Sequence, residues 1–155
     1  AFALSNYLKN EFDIICCGSS GFSKEEKFFI KKNNLDLNNI RHISATDKQL
    51  QNLYKKATSL VFPSFFEGFG LPAVEAISLG CPVIASNIKV FKEILGSNAV
   101  YFDPRNIENI KEVLEKNLFS DEVLNRLSLQ ALQHSKKYTW NTCAAKTINV
   151  YKKII

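Results

Sequence analysis

The sequence predicts an α/β fold: a parallel sheet with helices on both of its faces, ending in a pair of helices. Three observations carry that expectation. Five short apolar runs, each closed by a Gly, Ser or Pro turn, recur between Glu11 and Pro104. Helix-sized segments, several opened by capping residues, lie between them, and strands alternating with helices argue for a parallel sheet covered on both sides. From Ser120 onward no strand-like run is found, only two helix starts.

The elements follow in order. "AFALSNYLKN" reads as the second half of a helix with no strand ahead of it. A doubly wound domain normally opens with a strand, so the chain is expected to be a piece cut inside its first helix. "EFDIICCGSSGF" is a short apolar run ending in Gly and Ser, as suits a buried parallel strand entering a loop. Ser23 with Glu26 forms a capping box, each side chain satisfying the other's free backbone donor, and starts a helix through about Asn33. "NIRHIS" is a second strand. Thr46 with Gln49 caps the next helix, whose apolar face is Leu50, Leu53 and Tyr54. "SLVFPS", "CPVIAS" and "NAVYFDP" are the remaining strands, with helices expected over 72–80, 90–95 and 107–118. Asp103-Pro104 shapes a turn. The tail helices begin at Ser120-Asp121-Glu122 and Thr139-Trp140, where hydroxyl residues precede the first turn and acids fill that of the first.

At 155 residues the chain is one domain long, enough to bury roughly two-thirds of its unfolded surface. Hydrophobic residues make up 46% and charged residues 23%, which excludes a disordered segment. The net charge of +5 comes from scattered Lys, not one basic block, so no nucleic-acid partner is expected, although phosphate-bearing ligands are favoured. Cys16, Cys17, Cys81 and Cys143 lack metal-site spacing and are read as buried free thiols of a reducing compartment. No apolar run reaches membrane-spanning length and no signal peptide is visible, so a cytoplasmic domain is expected.

The chemistry concentrates in "FPSFFEGFGLPAVEA", residues 62–76. It lies where a strand gives way to a helix, and open parallel sheets bind ligands outside the carboxyl ends of their strands. Gly68 and Gly70 permit backbone conformations and close approaches that a side chain would block, leaving successive N–H groups to face an anion. Pro72 suits a first helical turn, and the helix dipole favours phosphate there. At 100° per residue, Ala73, Ala76 and Gly80 form a small-residue face toward the sheet, with Val74 and Ile77 beside it. Glu75 and Ser78 fall on the other side. A carboxylate one turn into such a helix can accept hydrogen bonds from a ribose diol. Glu67 would stand across the phosphates, near the group they carry.

"PSFFEGFGLPAVEAISLGCPVIAS" resembles the donor-binding signature of the large retaining glycosyltransferase family of GT-B fold. "NLYKKATSLVFPS", "EILGSNAVYFDPRNIENI" and "YTWNTCAAKTINVYKKI" resemble further parts of that family's C-terminal domain. The resemblance implies a Rossmann-like sheet, the C-terminal half of a GT-B fold, spanning residues 1–155 and truncated at its start, with the N-terminal acceptor domain outside them. It implies that Glu67 contacts the transferred sugar as the catalytic carboxylate and that Glu75 holds the ribose. The amides of Gly68, Phe69, Gly70 and Leu71 would meet sugar and diphosphate. Ile43 and Ser44 would hold the base, with Gly18 at the same rim. The donor would be a UDP- or GDP-hexose and the acceptor a sugar or glycolipid hydroxyl, in surface polysaccharide or glycolipid synthesis. No metal and no cofactor are implied. The family's Arg and Lys that neutralise the leaving diphosphate would precede Ala1. Peripheral association of the longer enzyme with the inner membrane face is a further expectation.

Other readings are weaker. A nucleotide-sugar epimerase shares the architecture but not usually the Glu-Gly-Phe-Gly run. A binding module without activity describes the isolated residues. A signalling receiver domain needs Asp clusters at strand ends, which here read Cys-Gly-Ser, Ile-Ser-Ala and Pro-Ser-Phe. His42 and His134 have no partner readable from spacing, and Trp140, Tyr138 and Tyr151 read as packing anchors.

Overall fold

The computed structural model describes residues 1–154. A turn of 3-10 helix, Phe2–Leu4, leads through α1 (Asn6–Glu11), β1 (Ile14–Cys17), α2 (Lys24–Lys32), β2 (Ile40–Ile43), α3 (Asp47–Lys56), β3 (Leu60–Phe62) and α4 (Leu71–Ser78). It continues through β4 (Val83–Ser86), α5 (Lys89–Leu95), β5 (Val100–Phe102), α6 (Ile107–Leu118), α7 (Asp121–Ser135) and α8 (Trp140–Ile154). Both capping boxes form: Ser23 with Glu26 and Thr46 with Gln49 each satisfy two backbone donors reciprocally.

All strand pairs are parallel, but the sheet is in two pieces, β1 with β2 and β3-β4-β5. Among the described residues no strand pairs with the second edge of β1 or of β3. The central strand β4 is buried throughout, while Ile15 in β1 and Val61 in β3 are exposed. Parallel strands are ordinarily covered on both faces, and β4 has both. Tyr54, Ala73, Ala76, Ile77, Phe91, Leu95 and Ala131 pack with Val83 and Ala85 on one side. Leu8 of α1 and Leu114 of α6 close over Ile84 and Phe102 on the other. Each fully buried Leu or Phe in these layers contributes about 1.5–3 kcal/mol.

Four expectations change. The first ten residues are not half of one helix: the Ser5 hydroxyl accepts from the Leu8 N–H and starts α1 afresh. Gly80 is not on the sheet-facing side of α4. It lies beyond the helix in the left-handed conformation, φ +76°, and packs on Ser128 and Leu132 of α7. Trp140 anchors nothing among the described residues, being 82% exposed on a helix that buries no residue, and Tyr151 is exposed too. Of the four free thiols only Cys81 is buried; Cys17 and Cys143 are exposed.

Candidate functional site

β3 delivers the chain to the site. Pro63 cannot continue a ladder, and the turn that follows is held by the Ser64 hydroxyl, which donates to Glu67 Oε1 at 2.7 Å. That bond fixes one oxygen of a half-buried carboxylate and leaves the other available. The chain then reaches Gly70, the residue before α4, at φ +88°. A Cβ at this glycine would lie 2.7 Å from Phe91 Cε1, so Gly70 is required by both conformation and space. Gly68 differs: its φ is not positive and nothing lies within 4 Å of where a Cβ would stand. The two glycines therefore have separate jobs, one to seat the loop on Phe91 and one to leave its outer side open.

None of the backbone N–H groups of residues 67–71 donates to any acceptor among the described residues. Their first neighbours in α4, Ala73 and Val74, bond back to the Gly70 carbonyl at 3.0 and 3.3 Å. A run of unpaired donors at a helix N-terminus is a place for an anion. Phe69 is held from behind by Tyr138, ring to ring at 5.8 Å. Tyr138 in turn donates to the Ile94 carbonyl, which His134 Nε2 also meets at 2.6 Å. His134 is thus spent on structure, and Tyr138 is the one of the three aromatic anchors that packs. Phe65, Phe66, Phe69 and Leu71 leave an apolar, exposed rim around the donors.

Glu75 is exposed one turn into α4, as is Ser78, whose hydroxyl donates to the Glu75 carbonyl at 2.7 Å. Among the described residues the side-chain group within hydrogen-bond distance of the Glu75 carboxylate is the Tyr54 hydroxyl, 3.5 Å from Oε2. Burial, together with the Glu75 charge, raises the Tyr54 pKa strongly.

Beyond the end of β1 the Gly18 N–H donates to the Ile43 carbonyl at 3.2 Å, tying the turn after β1 to the last residue of β2. Ile43 and Ser44 open into a cleft of about 560 Å³ completed by Ala45, Gln49, Asn52, Leu53 and Lys56. Leu53 lines this cleft while Leu50 and Tyr54 join the core. His42 Nε2 is buried beside Gly18 without a hydrogen-bond partner among the described residues. A groove of similar size beside Asn98 and Gln133 lies at the opposite, amino end of β5.

Ser64, Tyr54 and Phe91 were missed from sequence as site residues. Ser64 lies three residues before a predicted carboxylate, a signal that spacing could have raised; nothing local marks Tyr54, 21 residues from Glu75, or Phe91, the wall behind Gly70.

The model of the family described as "Glycosyl transferases group 1" matches residues 1–134. The chain belongs to this family. Its relatives include the O-antigen chain mannosyltransferase B of Escherichia coli, 37% identical over 106 residues. That alignment takes in 68% of this chain and 28% of the mannosyltransferase. The MMP alpha-(1->4)-mannosyltransferase of Mycolicibacterium hassiacum is 33% identical over 127 residues, covering 78% of this chain and 31% of that enzyme. This group 1 glycosyltransferase chain thus spans less than a third of the length of either relative. In fold it is similar to a glycosyltransferase of Rickettsia africae, with TM-score 0.83, 23% identity, and coverage of 98% of this chain and 42% of that one. The architecture is that of the GT-B glycosyltransferases, ending in a helical pair.

Among the described residues of this family member no helix is long and apolar enough to cross a membrane.

Proposed function

We propose that these residues form the nucleotide-sugar-binding domain of a retaining glycosyltransferase. In the longer protein it would transfer a hexose from a nucleoside diphosphate sugar to an acceptor hydroxyl. The observation that supports this best is the run of unpaired N–H groups over residues 67–71, flanked by two carboxylates. Oriented amides of this kind stabilise the charge that grows on a departing diphosphate. Glu67, steadied by Ser64, orients the transferred sugar, and Glu75 holds the ribose. The amides of Gly68, Phe69, Gly70 and Leu71 take the sugar and diphosphate, and the Gly18, Ile43 and Ser44 rim with its cleft takes the base.

The relatives' names make mannose the first hexose to try and surface polysaccharide the first acceptor class. The transfer is proposed to be metal-independent and to occur in the cytoplasm at the inner membrane face. The acceptor is bound by a domain outside residues 1–155, so these residues alone bind donor and transfer nothing.

Calorimetric titration with UDP, GDP and ADP tests the reading. One nucleotide is expected to bind, and Glu75→Ala to weaken it by about 1.5–3 kcal/mol, the range for hydrogen bonds to a charged group. Binding of none, or an unaltered affinity in the variant, would overturn the site; turnover by the 155 residues alone would overturn their inactivity.

A further inference from the structure

We propose that Tyr54 is the positioning residue of the donor site: its hydroxyl donates to Glu75 Oε2 and turns the carboxylate so that Oε1 is presented to the ribose diol. The inference rests on the reading of Glu75 as the ribose-holding carboxylate.

Tyr54 is only 7% exposed, held in the core by its ring on the α3 face that meets α4. A buried phenol seeks an acceptor, and Glu75 Oε2, at 3.5 Å, is the one it meets among the described residues. Glu75 is otherwise unrestrained: it is exposed, and no other side chain contacts its carboxylate oxygens within hydrogen-bond distance among those residues. A free Glu side chain loses rotamer freedom when it engages a ligand, and a donor fixed to the core reduces that loss. At 3.5 Å the contact is longer than an ordinary O–H···O hydrogen bond, so without ligand it steers the carboxylate and does not clamp it. Burial and the Glu75 charge keep the phenol protonated, so it remains a donor throughout the working pH range.

The test titrates the parent chain, Tyr54→Phe and Glu75→Gln with UDP and GDP and with their 2′,3′-dideoxy counterparts. Phe keeps the ring and its packing. Tyr54→Phe is expected to lower affinity for the ribonucleotide about 3- to 10-fold, the scale of one modest hydrogen bond, and to leave the dideoxy affinity unchanged. Without ligand, the melting shifts of Tyr54→Phe, Glu75→Gln and the chain carrying both should be non-additive, as expected for groups in contact. Equal losses with both ligands, or strict additivity, overturn the proposal. A parent preference for ribose that Glu75→Gln abolishes and Tyr54→Phe leaves intact overturns it alone. A parent without that preference, or without nucleotide binding, overturns the reading of Glu75 and this inference together.

Discussion

Gly70→Ala tests how the loop is seated. The residue must hold φ at +88°, a conformation that costs a non-glycine residue about 1–2 kcal/mol. The added methyl would also stand 2.7 Å from Phe91 Cε1 and 3.3 Å from Cδ1. Phe91 is fully buried and rests on Phe62 at 4.9 Å between ring centroids, so it can withdraw only by disturbing the core, at about 1–3 kcal/mol for overpacking. The sum is about 2–5 kcal/mol, a large part of the ~5–15 kcal/mol that holds a domain together. At roughly 2–4 °C per kcal/mol for this size, the melting midpoint should fall by about 4–20 °C. Calorimetry and guanidinium unfolding, read by far-UV circular dichroism, measure both quantities. Phe91→Leu should relieve the steric share of the loss and leave the conformational share. Gly68→Ala is the control: no positive φ and no atom within 4 Å predict a stability change under about 0.5 kcal/mol. A Gly70→Ala chain as stable as the Gly68→Ala chain would refute the reasoning.

Tyr101 donates to the carbonyls of Gly96 at 2.6 Å and Phe91 at 3.2 Å, and burial pushes its phenol from 10.0 up to about 12. The fold favours the neutral form, so this contribution is complete below about pH 10 and is lost as pH rises toward 12. Tyr101→Phe should make the alkaline loss of stability shallower and cost about 0.5–1.5 kcal/mol at neutral pH; identical slopes in urea unfolding at pH 9 to 11 would count against the assignment. The thiols should separate by alkylation. Cys81, buried and pushed up to about 11, should label only on unfolding. Cys143, exposed on α8, should label first, and peptide mass mapping showing equal rates would contradict the burial assigned here.

Local rules carried most of the fold because most of its boundaries are local. Ser23, Thr46, Ser120 and Thr139 each bond a backbone N–H three residues on, and the strands end at turn residues. The same locality located the Glu67 to Glu75 motif, since a strand, a tight turn and a helix start are contiguous there. What escaped depended on distant residues. Gly68 and Gly70 look alike in sequence and differ because Gly70 alone takes a positive φ and alone has Phe91, about twenty residues on, standing behind it. Tyr54 reads as one more apolar position until α4 brings Glu75 to its hydroxyl. Trp140 is the reverse case: a large aromatic after a cap suggests packing, yet no element of the described residues covers it.

The divided sheet bears on how this chain behaves in solution. Among the described residues β1 and β3 each keep one edge without a ladder partner, beside exposed Ile15 and Val61, and such edges template the addition of any extended segment. The apparent molar mass of the isolated chain by light scattering should therefore rise with concentration. Each open edge ends beside a turn of the site, β1 at Gly18 and β3 just before Ser64, so pairing at either edge would engage backbone next to the groups proposed to hold the donor.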